Sequence, residues 1–403
     1  KSLSHTQLDS GKAVHWSCEG NPEFTLKKTK KEDRGTEIIL HIADDSTEFL
    51  EERRVSELLN KYAKFMPIPI QFGTTEQTEG EGDDAVKTEV PNIINNTDPA
   101  WTKSPGSLTD EDYNSFYREL YPATFDEPLF NIHLNVDYPF NLTGVLFFPR
   151  LKPNMEIQKN KIQLYQNQVF VTDNVEGIVP EFLTMLHGVV DSPDIPLNVS
   201  RSYLQADGNV KKISGHITKK VADKLDEMFR TNREDFESKW DDIKVIIEYG
   251  MLSEAKFYDK AQKFALYKNA KNQYHTFKEY LEKIKDSQVN SNGDTIILYA
   301  SHAEAQHSFI SKAENKGYDV LIMDSPIVSH LIQKIESEKT NIRFSRVDSD
   351  TIDNLIKKEE NTLSKLSEDQ EKSLTEAIEK SVDTGKFTVK LEKLDSEEEP
   401  FSI

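Results

Sequence analysis

The chain has 403 residues, room for roughly two to four domains, of which 36% are hydrophobic and 30% charged. Its 70 acidic against 50 basic side chains give a formal charge of −20, which argues against a nucleic-acid binder and against docking on an anionic membrane. The one cysteine, Cys18, excludes an intrachain disulfide and a multi-cysteine metal site and fits a reducing cytoplasm; no run approaches the roughly 18 apolar residues of a membrane helix, and no signal peptide is visible.

Residues 1–73 hold short strand-like runs and one helix. Residues 13–18 and 23–26 read as strands on either side of a Gly20-Asn21-Pro22 turn. Residues 34–42 read as a strong strand. Residues 44–62 read as a helix capped by Asp44, Asp45 or Ser46, with Phe49, Val55, Leu58, Leu59 and Tyr62 on its buried stripe. Residues 67–70, Pro-Ile-Pro-Ile, are extended and suit an edge strand. Residues 74–98 are acidic, glycine-containing and polar with no apolar period, the composition of a flexible linker.

Residues 99–230 carry a complete domain. Thr109-Asp110-Glu111-Asp112 opens a helix with Tyr113, Phe116, Tyr117 and Leu120 at helical spacing. Residues 130–136 alternate as a strand, 144–149 form a buried strand, and 162–165 pairs with 169–172 as a hairpin. Residues 179–186 read as a helix. Ile213, Ile217, Val221, Leu225 and Phe229 recur every four positions, one apolar stripe on a long helix. Strands interleaved with helices give an α/β layer sandwich. Residues 231–290 read as helical and charged: one helix from Phe236 to Tyr249-Gly250, one across 257–267, one across 272–284. Residues 291–347 form a small α/β unit, with strands at 295–300, 319–323 and 342–347, parallel where a crossover helix joins them. Residues 348–403 hold a charged helix at 367–380 and a strand at 386–394.

The stretch His187–Gln205, HGVVDSPDIPLNVSRSYLQ, carries the chemistry. Pro193 and Pro196 keep the backbone extended, and Asn198 or Ser200 caps a helix start. Arg201 then lies in or beside a first helical turn, where exposed amides and a guanidinium make a site for a phosphate. Pairing with a nearby carboxylate is the alternative. Elsewhere, Asp294, Asp319 and Asp324 flank strands without a glycine-rich phosphate loop, and His302 and His307 are isolated, so no metal site is expected.

PLNVSR-x-x-LQ preceded by GVVDS resembles the middle domain of the ninety-kilodalton heat-shock chaperone family, in its bacterial, HtpG-type form. W-x-S-x-G, RGT-x-I-x-LH, PI-x-I, VF-x-x-D and GY-x-VL, as they stand in this sequence, extend the resemblance to nearly the whole chain. It implies that 1–73 is the last part of an N-terminal ATPase domain, 74–98 an acidic linker, 99–347 the middle domain and 348–403 the start of a C-terminal dimerisation domain. Within the middle domain it implies a large α/β sandwich at 99–230, a small helical coil at 231–290 and a small α/β unit at 291–347. Arg201 becomes the residue that reaches the γ-phosphate of ATP, supported by Asn198 and Gln205. Gly35 and Thr36 fall at the adenine pocket, although an ordinary strand threonine remains the other reading of Thr36. Phe170 becomes a contact for the ATP lid or, equally, a core strand residue. Trp101 becomes an exposed client contact or else a packing anchor. The family usually has Glu after the arginine; Ser202 stands there in this chain and removes one carboxylate partner.

The resemblance implies a cytoplasmic, stress-responsive chaperone that uses ATP with Mg2+, remodels unfolded or client proteins, works against its own ATPase domain and is a homodimer. A nucleotide-independent protein-binding scaffold is the alternative, disfavoured by the phosphate-suited Arg201 motif. A DNA-acting relative is the third reading, disfavoured by the −20 charge. The chain opens on Lys1 and reads as a fragment: the family's catalytic Glu, adenine-reading Asp and glycine-rich lid lie upstream of its first residue. This fragment is therefore expected neither to bind ATP tightly nor to hydrolyse it, and titration calorimetry showing micromolar affinity would overturn that expectation.

Overall fold

The computed structural model describes residues 2–3, 12–79, 86–150, 161–195, 208–350, 356, 366–382, 388–389 and 391. The chain divides into two compact units, Lys1–Val221 and Ala222–Ile403, and the division falls within one long helix.

The first unit opens with a four-stranded sheet in the order β3-β2-β1-β4, formed by β1 (Ser2–Leu3), β2 (Lys12–Cys18), β3 (Phe24–Lys30) and β4 (Gly35–Thr36). The strong strand expected at 34–42 stops at Thr36. Only β1 pairs with it, over two residues, and Ile38, Ile39 and Leu40 are 78%, 60% and 76% exposed. The helix expected at 44–62 is broken. Residues Asp44–Leu50 form 3-10 turns with a kink at Ser46, preceded by Ala43 without a side-chain cap, and α1 spans Glu52–Tyr62. Residues 67–70 form no strand. Asn95 stands in for one: its Oδ1 accepts from Ile70 N at 2.7 Å and its Nδ2 donates to the carbonyls of Met66 and Ile68.

The linker expected at 74–98 is instead largely an antiparallel ladder. β5 (Gln71–Glu79) pairs with β6 (Val86–Ile93), Glu76 opposite Glu89 and Thr78 opposite Lys87, and Lys87 reaches Glu76 at 2.9 Å. Threonine and valine at alternate positions suit a strand; the acids between them concealed it.

The domain from 99 onward follows its expected order. α2 (Asp110–Leu120) starts with a capping box in which Thr109 Oγ1 accepts from Asp112 N while Asp112 Oδ2 accepts from Thr109 N at 2.8 Å. Such a cap stabilises a helix by about 1 kcal/mol. A five-stranded sheet runs β10-β9-β11-β8-β7, from β7 (Phe130–Val136), β8 (Leu142–Phe148), β9 (Ile162–Gln166), β10 (Val169–Thr172) and β11 (His187–Asp191). β11 is central, antiparallel to β8 and parallel to β9. The helix expected at 179–186 shrinks to a 3-10 turn at Glu181–Leu183, and the residues after it are the buried β11. Phe65, Trp101, Tyr113, Phe116, Tyr117, Phe147 and Tyr165 share one core over this sheet. Phe65 is 1% exposed, so the segment assigned to the ATPase-domain tail contributes to the core of the next domain rather than ending at 73.

α3 (Gly208–Thr231) carries the expected stripe, with Ile213, Ile217, Val221 and Leu225 fully buried. In the second unit, α4 (Arg233–Ser253) runs past Gly250, and α5 (Ala255–Ala261) ends before Tyr267. Two strands replace expected helix: β12 (Leu266–Asn269) and β13 (Tyr274–Thr276), followed by α6 (Phe277–Ile284). They join β14 (Thr295–Ala300), β15 (Val320–Ile322) and β16 (Ile342–Arg346) in one sheet, β13-β12-β15-β14-β16. The boundary expected at 290 therefore cuts a sheet that begins at Leu266. β14 is parallel to β15 and β16, as the crossover helices α7 (His307–Asn315) and α8 (Val328–Glu338) require. α9 (Glu368–Glu379) is capped by Ser367; the strand expected at 386–394 lies mostly outside the described residues.

The centre of the first sheet depends on a close backbone approach. Gly188 in β11 has φ +132°, and a Cβ there would lie 2.0 Å from Val145 O of β8. Gly188→Ala is expected to cost about 2 kcal/mol or more, read as a lower urea midpoint with an unchanged slope.

Candidate functional site

β11 ends at Asp191, ten positions before Arg201 in the sequence. The Asp191 side chain is buried and faces the β9–β10 turn. Its Oδ1 accepts from Asn167 N at 2.8 Å and its Oδ2 from Gln168 N at 2.9 Å. Trp101 Nε1 also donates to Oδ2, at 3.2 Å. Burial pushes the Asp191 carboxyl up, against these three donors, which favour the charged form.

The next residues are tied to the same sheet. Ser192 N donates to Tyr165 O at 3.2 Å, and its hydroxyl donates to Asn141 O at 2.6 Å. Asp194 Oδ2 accepts from Asn141 N at 2.6 Å. Gln166 Nε2 donates to the carbonyls of Pro193 and Ile195. The route toward Arg201 is fixed as far as Ile195, 1% exposed.

Below β11 lie aromatic and imidazole groups. Tyr121 Oη accepts from Gly188 N at 2.7 Å and donates to Lys161 O. Tyr117 Oη is hydrogen-bonded to His187 Nδ1 at 2.8 Å. Burial brings the His187 imidazole down to about 4, so it is neutral at physiological pH.

The predicted site residues divide as follows. Arg201, Asn198 and Gln205, with Ser202, lie outside the described residues. Phe170 sits on β10, three residues after Asn167, half-buried between the rings of Tyr62 and Tyr165 at 5.8 and 5.7 Å. Gly35 and Thr36 are exposed on β4, where Thr36 Oγ1 is hydrogen-bonded to Ser2 Oγ at 3.0 Å. Trp101 is corrected: an exposed contact was one reading, and the ring is 0% exposed. It packs on Phe65 at 4.8 Å and Tyr165 at 5.2 Å, and its indole N–H finds the carboxylate partner a buried tryptophan needs. Asp191 is the functional residue that sequence reasoning misses; its sequence signal is an acid ending an apolar run.

The second unit has perturbed groups of its own. In the second unit, burial pushes the Glu248 carboxyl up to about 7, opposed by Ser325 and Lys244, while Asp324 adds to the rise. A void of about 10 Å³ among Met251, Tyr258, Tyr267 and Phe277 has room for one water, not a nucleotide. Among the described residues no group of three or more His, Cys, Asp or Glu is placed to share a metal ion, and no helix is long and apolar enough to cross a membrane.

The layered fold and the GVVDS strand leading toward the arginine motif agree with the comparison to known families. The Hsp90 protein family matches residues 84–397, and the chain belongs to that family. It is similar to a protein named Chaperone protein HtpG from Bacteroides thetaiotaomicron, 53% identical over 404 residues, covering 100% of this chain and 59% of the relative. A protein of the same name from Porphyromonas gingivalis is 50% identical over 405 residues, with the same coverage. One from Geobacter sulfurreducens is 30% identical over 341 residues, covering 81% of this chain and 52% of the relative. The chain thus spans 59% or less of the length of these relatives.

His187 and Glu248 make contributions of opposite pH dependence to their two units. His187 has its folded value below the ordinary 6.5, so the unfolded chain takes up a proton first as pH falls. The first unit should lose stability from about pH 6.5 downward, by about 3 kcal/mol near pH 4. Glu248 is raised, so its contribution is full below about 4.5 and lost as pH rises through about 7. Hydrogen exchange resolved by unit checks both signs, and His187→Gln should flatten the first response only.

Proposed function

We propose that this chain is the middle portion of an ATP-dependent molecular chaperone, in which Arg201 contacts the γ-phosphate held by an upstream ATPase domain. Membership of the Hsp90 family carries this reading, and the names of its relatives support it. In the full-length protein, Arg201 offsets the charge that builds on the transferred phosphoryl group, as an arginine finger does. Asn198 and Gln205 orient it. Phe170 meets the lid over the nucleotide, and Gly35 with Thr36 borders the adenine pocket. ATP is bound with Mg2+ in that domain, and its turnover drives remodelling of unfolded or client proteins.

The layout follows the family: an ATPase-domain tail, a middle domain and the start of a dimerisation domain, in a cytoplasmic homodimer that acts under stress. The buried Trp101 is left out of the client surface.

ATP turnover by the full-length protein tests the reading. Arg201→Ala should lower the single-turnover rate by roughly 10–1,000-fold, the lower end where a conformational step limits the rate, with ATP affinity and fold retained. An unchanged rate would remove the phosphate role and favour a nucleotide-independent protein-binding scaffold.

A further inference from the structure

Phe170 is fixed on its core side. β9 and β10 join through two residues, Asn167 at φ 51° and Gln168 at φ 64°, the left-handed pair that a type I′ hairpin turn requires and that Asn-Gly usually supplies. Gln168 has no such preference and persists there only where its surroundings over-determine it. Both backbone N–H groups donate to the Asp191 carboxylate, which Trp101 Nε1 holds from the core side. Phe170 lies opposite Tyr165 in the β9–β10 ladder. The Tyr165 ring, 2% exposed, meets it edge to face at 5.7 Å and 78°.

The other side of Phe170 is covered by Tyr62, the last residue of α1, whose ring meets it edge to face at 5.8 Å and 65°. Tyr62 is 45% exposed, so it stands between Phe170 and solvent. α1 is weakly held. None of its residues is buried, and its N-cap Glu51 makes no side-chain cap bond. Its apolar stripe, Val55, Leu58 and Leu59, is only half-buried. The anchor comes just after it: Phe65, three residues beyond Tyr62, lies in the aromatic core, and Lys64 Nζ donates to Glu119 O in the last turn of α2. Elements with few buried apolar contacts open at low free-energy cost, so α1 can lift while its tail stays in place.

We propose that Tyr62 is an autoinhibitory cover on Phe170: the last turn of α1 occupies the side of the ring open to a partner, and α1 has to turn away about its Phe65 anchor before the ATP lid can reach Phe170. This rests on the reading of Phe170 as the lid contact given above. One side of a ring takes one partner, so the two contacts exclude each other. An edge-to-face aromatic pair biases an equilibrium by roughly 3- to 10-fold. Where the covered form predominates, removing the pair raises the uncovered fraction, and with it turnover, by that factor. Tyr62 touches no nucleotide, so ATP affinity should not change.

The test uses the full-length protein, with ATP affinity, single-turnover rate and melting temperature measured on each variant. Tyr62→Ala should raise the rate roughly 3- to 10-fold with the dissociation constant for ATP unchanged, and Tyr62→Phe, which keeps the ring, should match wild type. Loss of a residue that merely packs would lower the melting temperature without raising the rate. Tyr62→Ala added to Phe170→Ala should change the rate no further, because the ring that both contacts share is gone. A Tyr62→Ala rate at or below wild type overturns the proposal, as does an acceleration that persists in the Phe170→Ala background. If Tyr62→Ala melts below the assay temperature, Tyr62→Gln, which keeps helix propensity without the ring, decides by the same acceleration or its absence. Phe170→Ala alone separates the two ideas. A slow Phe170→Ala with an unaccelerated Tyr62→Ala sinks this proposal alone, whereas a normal Phe170→Ala sinks the lid reading beneath it.

Discussion

A single buried carboxylate joins three parts of the first unit that are far apart in sequence. Asp191 takes its donors from Trp101, 90 positions away, and from Asn167 and Gln168, 24 and 23 positions away. No cation is among them. An isolated ionised carboxyl would be costly to bury, and hydrogen bonds to a charged group each return about 1.5–3 kcal/mol. Three such bonds offset much of the desolvation without cancelling it, which accounts for a carboxyl still pushed upward. The arrangement contributes definition more than stability: it holds a left-handed turn that the local sequence does not favour and fixes where β11 ends.

The aromatic core beneath explains why Trp101 and Phe65 have to be considered together. Their rings meet edge to face at 4.8 Å, and Tyr165 and Phe116 close around Phe65 at 5.7 and 6.0 Å. Phe65 comes from the residues just after α1; Trp101 comes from just after the β5–β6 ladder. The ladder therefore connects two segments already joined through the core. Asn95 completes the link by bonding back to residues 66, 68 and 70. A boundary drawn from composition at residue 73 follows a change in surface character, not the end of a packed body.

Much of this was legible in sequence where a single period decided the matter. Alternation gave β7, four-residue recurrence gave α3, and Thr109 with Asp112 marked the start of α2. What sequence concealed was of two kinds. Short strands buried on both faces, such as HGVVD, have no alternation and run on from the apolar residues before them, so the sequence reading assigns no strand at β11. Strands with almost no apolar face, such as β5 and β6, looked like linker because their pairing is carried by backbone bonds and cross-strand contacts rather than by burial. β12 and β13 failed differently: Tyr267 and Tyr274 also fit a helical stripe, and only pairing with β15 and with each other settles their state. At the site, the arginine motif was conspicuous because its residue types are chemically specific. Asp191 was not, because its meaning lies in donors brought by the fold.

The same geometry fixes the chain on either side of the arginine motif. Residues 196–207 are flanked by fixed points within one unit: Ile195, 1% exposed, on one side, and Val210 and Ile213, 7% and 0% exposed, on the other. A connection whose two ends are anchored pays its closure entropy once, on folding, and the added cost grows only slowly with length.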